Sequence, residues 1–245
     1  MLQEQKGKFV MIDGIDGSGK GTLVQALALH LWRKNNNMRL LDLKSYGEQY
    51  HSLPKPSELK NYDIIISSEP TFSLIGRAIR EEIVRYNRRE YSALATAQAF
   101  ALDRYVLYKR VIIPALEQGK YIFQERGVTT SICYQPIQKE RLPLAKILEL
   151  EGNQLTLKYR PDLLVITKVN PQTAINRLKQ RVGKQDAAIF ERVDFLKKAQ
   201  NRFDSSWFRE LFEKCGSKVI YIDTNRTKEE SIKEIIQIWE DFNSK

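Results

Sequence analysis

The sequence has few cysteines and no long apolar segment. These two features argue against a disulfide-rich protein and against a membrane-spanning one. Its two cysteines, Cys133 and Cys215, are far apart and lack metal-ligand spacing, which indicates reduced thiols rather than a disulfide framework or a zinc site. No run approaches the roughly 18 apolar residues that a membrane helix needs. Residues 1–8 are polar and do not resemble a secretory leader. We therefore expect a cytoplasmic protein without membrane contact.

Composition points to one soluble globular domain over residues 1–245, with 42% hydrophobic and 29% charged residues. The formal net charge of +10 is compatible with nucleic-acid binding or with a site that collects phosphates. Lysines and arginines are scattered and form no long block, so nucleic acid is an unfavoured partner.

Six short apolar runs have the length of strands, and segments with helical periodicity separate them. The runs are 9–12, 40–43, 64–66, 121–123, 163–166 and 219–222. Strands that alternate with helices form a parallel sheet covered by helices. We predict an α/β fold with a five-stranded parallel sheet flanked by helices on both faces. Residues 45–61 contain two prolines and many polar side chains, a composition typical of a long irregular surface loop.

A glycine-rich loop follows the first apolar run and precedes a helical pattern, and it reads GIDGSGK over residues 14–20. This is the context that a Walker A loop, or P-loop, requires. Its backbone N–H groups turn towards the β-phosphate of a nucleotide, and Lys20 reaches the β- and γ-phosphates. The predicted ATP-phosphate residues are Gly14, Gly17, Ser18, Gly19, Lys20, Gly21 and Thr22.

Position 21 departs from the usual P-loop pattern. Many P-loops carry a Ser or Thr after the lysine, whose hydroxyl binds Mg²⁺, whereas this chain has Gly21 followed by Thr22. Either Thr22 substitutes, or the ion is held mostly by water, phosphate oxygens and a carboxylate elsewhere, since Mg²⁺ tends to keep its waters. We favour the second arrangement, with Glu125 as the candidate carboxylate.

Two charged pairs follow predicted strands directly: Glu125-Arg126 and Glu69-Pro70. Ligands of parallel sheets bind beyond the carboxyl ends of the strands, so we expect these side chains at the phosphate crevice. Arg126 is a candidate for clamping an acceptor phosphate or spreading the charge of the transferred phosphoryl group. Pro70 keeps Glu69 extended and fixes the direction of its carboxylate.

Phe100 and Arg104 are four residues apart in a helical segment and therefore share a face. An aromatic ring and a guanidinium can hold a nucleobase by stacking and by hydrogen bonds to its carbonyls. The same spacing is also typical of a core residue beside a rim residue.

The segment ERGVTTSICYQ, residues 125–135, aligns without a gap with the diagnostic motif of the thymidylate kinase family. Glu125 for Asp and Thr130 for Ser are conservative changes, whereas Gly127 replaces an aromatic residue. The similarity extends over nearly the whole chain. It implies a P-loop NTPase fold with a mobile lid, ATP and dTMP as substrates, Mg²⁺ and a homodimer.

The resemblance also implies the acceptor site. Phe100 stacks on thymine, Arg104 contacts a thymine carbonyl, and Arg126 binds the acceptor phosphate. Arg80 helps to hold that phosphate, and Asp16 contacts the 3′-hydroxyl of the sugar. The implied acceptor-binding residues are Asp16, Glu69, Pro70, Arg80, Phe100, Arg104, Arg126, Ser131, Tyr134 and Gln135.

On the donor side, residues from about 178 to 190 fall where the family carries its lid. Gly17 gives the P-loop no basic side chain, so the resemblance implies that the lid supplies a catalytic cation. Asp223 and Thr224 resemble the loop beside adenine, and Arg177 joins them on the ATP side. The predicted catalytic residues are Lys20, Arg126, Arg181 and Lys184.

The predicted reaction is the ATP- and Mg²⁺-dependent phosphorylation of dTMP to dTDP. The second pKa of a monophosphate is about 6, so its attacking oxygen is ionised at neutral pH and no general base is required. A deoxynucleoside kinase, which must activate a neutral hydroxyl, could use Glu69 as its base. The sequence is also compatible with a P-loop ATPase that binds nucleic acid, or with a relative that binds nucleotides without catalysis because of Gly21 and Gly127.

Overall fold

The computed structural model describes residues 7–85, 87–180 and 193–244. Its centre is a parallel sheet with the strand order β2-β3-β4-β1-β5-β6. The strands are β1 Lys8–Gly14, β2 Leu40–Asp42, β3 Ile64–Ser68, β4 Tyr121–Glu125, β5 Leu163–Lys168 and β6 Lys218–Asp223.

The sheet has six strands, so the prediction of five is wrong in this detail. All six apolar runs form strands. The edge strand β2 is the shortest, with three residues paired to β3. The α/β class and the parallel arrangement are confirmed.

Helices cover both faces of the sheet. The α-helices are α1 Lys20–Lys34, α2 Leu43–Tyr50, α3 Leu74–Ala78, α4 Ala93–Leu107, α5 Ile113–Glu117, α6 Val128–Tyr134, α7 Leu144–Glu149, α8 Glu151–Lys158, α9 Pro171–Lys179, α10 Val193–Phe203, α11 Ser206–Lys214 and α12 Lys228–Asn243. π-Helical turns span Ile79–Val84 and Tyr108–Ile112, and 3₁₀ turns span Pro56–Asn61 and Gln135–Ile137.

Strand β1 shows how the two layers are built. Val10 and Ile12 contribute to one core together with residues of α1 and α12, among them Trp239. Phe9 and Met11 point to the opposite face and join the larger core. Because successive side chains of a strand alternate between faces, the four apolar residues 9–12 of β1 are buried on both sides of the sheet.

Residues 45–61 are not an irregular loop, which corrects that prediction. Helix α2 and the 3₁₀ turn occupy most of the segment, and Leu53 and Leu59 are buried. Pro56 lies at the start of the 3₁₀ turn, a position where proline is favoured because its missing N–H is not needed. Arg110 ties the segment to the body of the domain by donating from Nε to the Pro54 carbonyl at 3.1 Å.

Within residues 7–85, 87–180 and 193–244, none of the helices is both long and apolar enough to cross a membrane.

Candidate active site

The loop between β1 and α1 depends on its glycines. Gly14, with φ 144°, lies so close to β5 that a β-carbon would be 2.3 Å from Thr167 Oγ1. Gly17, with φ 80°, would bring a β-carbon to 2.4 Å from the carbonyl oxygen of Ala174. Gly19, with φ 88°, caps the start of α1. All three backbones are in regions that other residues rarely adopt, so the loop can close around a phosphate only with glycine at these positions.

Two side chains of the loop are buried and fixed. The Ser18 hydroxyl lies 2.6 Å from Thr167 Oγ1, so this side chain anchors the loop to β5. Lys20 Nζ donates to the Ile15 carbonyl at 2.7 Å and lies across the loop. Burial, with a smaller contribution from Arg126, lowers the Lys20 pKa to about 8. An anionic phosphate at this place would restore the charged form.

Glu125 reaches the start of α1 from the end of β4. A β-carbon at Gly21 would lie 2.8 Å from Glu125 Oε2, so the carboxylate lies against the first turn of the helix. Thr22 follows Gly21 on that turn, is half-buried, and carries a hydroxyl group. One carboxylate, a hydroxyl and the oxygens of a bound nucleotide are a donor set that suits Mg²⁺, which usually keeps several waters.

Arg126 connects β4 to the glycine-rich loop. It donates from Nη2 to Asp16 and from Nη1 to Thr130 Oγ1 at 3.3 Å, and it lies 3.9 Å from Asp13. Although burial opposes its charge, Asp16, Tyr134 and Asp13 keep the Arg126 pKa above its ordinary value. Its φ of 66° is left-handed, which costs about 1–3 kcal/mol in a non-glycine residue. The surrounding carboxylates hold this guanidinium in place beside the phosphate loop.

Asp13 is the carboxylate beneath this cluster. It is fully buried and accepts hydrogen bonds from the Gly14 N–H at 2.7 Å, from the Thr130 hydroxyl at 2.7 Å and from the Thr129 hydroxyl. These bonds join β1 to the start of α6. Asp13 thereby fixes Thr130, which in turn contacts Arg126.

Glu69 and Arg104 form a buried ion pair with 2.7 Å between Glu69 Oε2 and Arg104 Nε. The second Glu69 oxygen accepts from Gln124 Nε2 at 3.1 Å. Arg104 also donates to Ser131 Oγ at 3.2 Å and to Asn153 Oδ1. Burial raises the Glu69 pKa to about 7, against the opposing effects of Arg104 and Gln124. Arg104 therefore ties together the residue that follows β3, helix α6 and helix α8.

Arg80 is held by the loop that follows β3. It donates from Nε to the Thr71 carbonyl at 3.0 Å and from Nη2 to the Pro70 carbonyl. Thr71 is itself fixed by Asp103, which accepts from its N–H and from its hydroxyl, both at 2.7 Å. Burial lowers the Arg80 pKa to about 10, while Glu125 and Asp103 oppose this shift.

The remaining predicted acceptor residues lie on α4 and around α6. Phe100 is half-buried on α4, one turn before Arg104. The Tyr134 hydroxyl donates to Asp16 Oδ2 at 3.1 Å. Gln135 is buried, and its Oε1 has no hydrogen-bond partner among the described residues, so this oxygen is a candidate acceptor for a ligand donor.

On the nucleotide side, the loop after β6 is stabilised by its own bonds. Asn225 donates from its N–H and its side chain to Asp223 Oδ1 at 2.9 and 2.7 Å, and these bonds lower the Asp223 pKa. Thr224 donates to the Lys168 carbonyl at the end of β5. Arg177 Nη2 lies 3.4 Å from the Arg226 carbonyl, which brings it beside this loop.

The predicted lid cations, Arg181 and Lys184, lie outside the described residues, as does most of the predicted lid. A cleft of about 1050 Å³ is lined by Ile83, by residues 87–91 and 137–140, and by the starts of α4 and α10. None of the predicted acceptor residues lines it.

Sequence reasoning missed several residues that support the site. Asp13, Asn153 and Thr167 are buried polar residues whose partners are distant along the chain. The one local signal was the position of Asp13 next to Gly14. Gly127 packs against β1, where a β-carbon would be 2.6 Å from Met11 Cε, the end of a flexible side chain.

A parallel sheet with a glycine-rich phosphate loop after β1, and with Lys20, Arg126 and Glu125 gathered at its carboxyl edge, defines a P-loop phosphotransferase. The thymidylate kinase family model matches residues 49–235. The chain belongs to the thymidylate kinase family, whose members are nucleoside monophosphate kinases.

Individual relatives agree with this membership. The thymidylate kinase of Caldicellulosiruptor saccharolyticus is 28% identical over 237 residues, covering 97% of this chain and 98% of the relative. The probable thymidylate kinase of Caldivirga maquilingensis is 31% identical, and the match covers 78% of this chain and 77% of the relative. The probable thymidylate kinase of Pyrococcus abyssi is 31% identical over 72% of each chain.

Proposed function

We propose that this chain transfers the γ-phosphoryl group of ATP to dTMP, with Mg²⁺ bound beside Glu125. The observation that carries the proposal is the ion pair between Arg126 and Asp16, which joins the end of β4 to the glycine-rich loop. A phosphate held by Arg126 and a second phosphate held by Lys20 would be neighbours. In-line transfer requires that arrangement, with water excluded.

The chain's contribution is positioning and charge neutralisation. Lys20 and the loop N–H groups hold the donor phosphates, and Arg126 with Arg80 orients the acceptor phosphate. The phosphate of dTMP has a second pKa of about 6, so its attacking oxygen carries a charge and needs no proton acceptor. Glu69, with both oxygens in hydrogen bonds to Arg104 and Gln124, has a positioning role.

Glu125 and Thr22 are the residues that would hold Mg²⁺, through its waters or directly. When bound there, the ion would offset part of the negative charge of the nucleotide phosphates. Gly21 supports this assignment because it leaves room for the carboxylate.

The base-binding side is proposed to consist of Phe100, Arg104 and Gln135, and Arg104 on α4 also binds Glu69. Arg181 and Lys184 would bring further positive charge from the lid, and Asp223, Thr224 and Arg177 would flank adenine. A homodimer and a cytoplasmic location complete the proposal; both rest on the family resemblance and on the composition of the chain.

The test is an ADP-release assay with ATP, Mg²⁺ and a panel of acceptors: dTMP, dUMP, dCMP, AMP, thymidine and deoxycytidine. Preference for dTMP is expected, and Lys20→Ala, which lacks the donor-phosphate contact, serves as the inactive control. Preference for a nucleoside would transfer Glu69 to the role of base, a role that the family match does not favour. Turnover of no acceptor, with ATP hydrolysis stimulated by DNA or RNA, would contradict the kinase assignment.

A further inference from the structure

The guanidinium of Arg80 lies over a phenylalanine ring. Its Cζ is 3.7 Å from the centroid of the Phe72 ring, well inside the range of a cation–π contact. The carbonyls of Pro70 and Thr71 accept two of its N–H groups. Three consecutive residues of one loop, 70–72, therefore set the position of this arginine. Among the described residues, Arg80 Nη1 has no hydrogen-bond partner.

Helix α2 in turn sets the position of Phe72. Gly47 approaches the loop so closely that a β-carbon would lie 3.2 Å from the Phe72 carbonyl carbon and 3.3 Å from Ser73 Cβ. The Lys44 ammonium, one turn earlier, is 5.2 Å from the Phe72 ring centroid. Phe72 is thus held between a helix and the arginine side chain.

The segment that carries α2 is the one whose sequence is typical of an irregular loop. Leu53 and Leu59 anchor it in the core, and Arg110 bonds to both Pro54 and Ser52. Besides burial, the charges of Glu125, which raises the Arg80 pKa, and of Arg126, which lowers it, both act on Arg80. Two contacts therefore link residues 43–61, which comprise α2 and the 3₁₀ turn, to Arg80: α2 lies against Phe72, and Phe72 lies against Arg80. The last step, from Arg80 to the acceptor phosphate, is the one that the family resemblance implies.

We propose that Phe72 and α2 are positioning elements for Arg80, and that the 43–61 segment belongs to the acceptor-phosphate site. The inference rests on the proposed function, in which Arg80 binds the phosphate of dTMP. An arginine already held in its binding position loses less side-chain freedom when the phosphate arrives. Loss of the ring face should therefore weaken the binding of dTMP and leave the binding of thymidine unchanged, because thymidine has no phosphate.

The experiment measures the dissociation constants of dTMP and thymidine by calorimetry for the unmodified chain, four single variants and one control variant. Phe72→Leu removes the ring face, Phe72→Tyr keeps it, Gly47→Ala pushes α2 away from Phe72, and Arg80→Ala removes the cation. Trp32→Leu, at an exposed aromatic of α1, is the matched control. From the size of a partly exposed cation–π contact, Phe72→Leu should weaken dTMP about three- to tenfold, and Gly47→Ala should act in the same direction.

A double variant separates positioning from simple structural damage. Added to Arg80→Ala, Phe72→Leu should have no further effect on dTMP, and Phe72→Tyr should remain close to the unmodified chain. Equal weakening of dTMP and thymidine, or additive effects of the two substitutions, would overturn the inference while the kinase activity stands. Lack of dTMP binding and turnover by the unmodified chain would overturn the proposed function and the inference with it. If Phe72→Leu does not fold, the same comparison is made with Gly47→Ala, alone and added to Arg80→Ala. Gly47→Ala should then weaken dTMP binding only in the chain that retains Arg80.

Discussion

The carboxylate of Glu125 occupies the space that a side chain at position 21 would need: a β-carbon on Gly21 would lie 2.8 Å from Glu125 Oε2. Two departures from common patterns thus explain each other. Glutamate is longer than the aspartate of the family motif by one methylene, and glycine replaces the hydroxyl residue that follows the lysine in many P-loops. Because residues 21 and 125 compete for the same space, a larger side chain at position 21 should displace the Glu125 carboxylate.

Gly21→Ala should lower activity without lowering stability. The contact is with the end of a flexible side chain, so Glu125 can move away, and alanine in a helix is favoured over glycine by about 0.5–1 kcal/mol. The displaced carboxylate should raise the Mg²⁺ concentration needed for half-maximal turnover by roughly 10- to 100-fold. The measurements are kcat against Mg²⁺ concentration and the thermal midpoint.

The matched control shortens the carboxylate. Gly21→Ala combined with Glu125→Asp should recover much of the Mg²⁺ response, because aspartate withdraws from the new methyl group. An unchanged Mg²⁺ dependence in Gly21→Ala would remove Glu125 from the metal position.

ATP affinity should fall as the pH rises above about 8. Burial lowers the Lys20 pKa from 10.5 to about 8, so Lys20 is charged below that pH and loses its proton above it. Only the charged form attracts phosphate, and binding above pH 8 must take up a proton, which weakens affinity by up to about tenfold per pH unit. Calorimetric titration of ATP between about pH 6.5 and 9.5 measures the slope.

Lys20→Arg is the control for this dependence, since arginine stays charged throughout the range. Its ATP affinity should be lower near neutrality but should not decline above pH 8. The same decline in both proteins would assign the titration to another group.

The sequence predicted the parts of the site that depend on strand ends. Glu125 is the last residue of β4, Arg126 follows it, and the glycine-rich loop lies at the end of β1, the neighbour of β4 in the sheet. Because parallel strands end at the same edge, their proximity could be predicted from the order of the elements. The glycine spacing likewise predicted a backbone that only glycine adopts easily.

What the sequence did not reveal depends on contacts between distant residues. Asn153 meets Arg104 because α8 packs on α4, where a β-carbon on Gly152 would be 1.9 Å from the Ala101 carbonyl oxygen. The structure of residues 45–61 depends on burying Leu53 and Leu59, whereas their local composition is that of a loop. The packing of Gly127 against Met11 on β1 likewise joins residues that are far apart in the sequence.

Arg104→Ala should destabilise the fold as well as weaken acceptor binding. Arg104 is 1% exposed, and its removal leaves the buried Glu69 carboxylate without its cation. Breaking such a pair costs about 3–5 kcal/mol. Urea unfolding measures the loss, and steady-state kinetics should show a larger rise in the KM for dTMP than in the KM for ATP.

Arg77→Ala is the matched control, because Arg77 pairs with Glu81 at 2.9 Å on an exposed helix face. Exposed pairs of this kind contribute at most about 0.5 kcal/mol. A comparable loss of unfolding free energy in Arg104→Ala and Arg77→Ala would contradict the view that the buried Arg104 pair stabilises the fold. Adding Glu69→Gln to Arg104→Ala should restore part of the lost stability, because glutamine removes the unpaired charge.

Glu69→Gln tests whether a carboxylate at this position accepts a proton during the reaction. A general base typically contributes about 10²- to 10⁴-fold to the rate, whereas a carboxylate that only positions Arg104 should contribute much less to kcat. Arg104 Nε and Gln124 Nε2 already occupy the two Glu69 oxygens, at 2.7 and 3.1 Å. The acceptor phosphate needs no base, so Glu69→Gln should keep kcat within about tenfold of the unmodified chain and raise the KM for dTMP. A loss beyond about 100-fold at unchanged thermal midpoint, together with phosphorylation of thymidine by the unmodified chain, would make Glu69 the base of a nucleoside kinase.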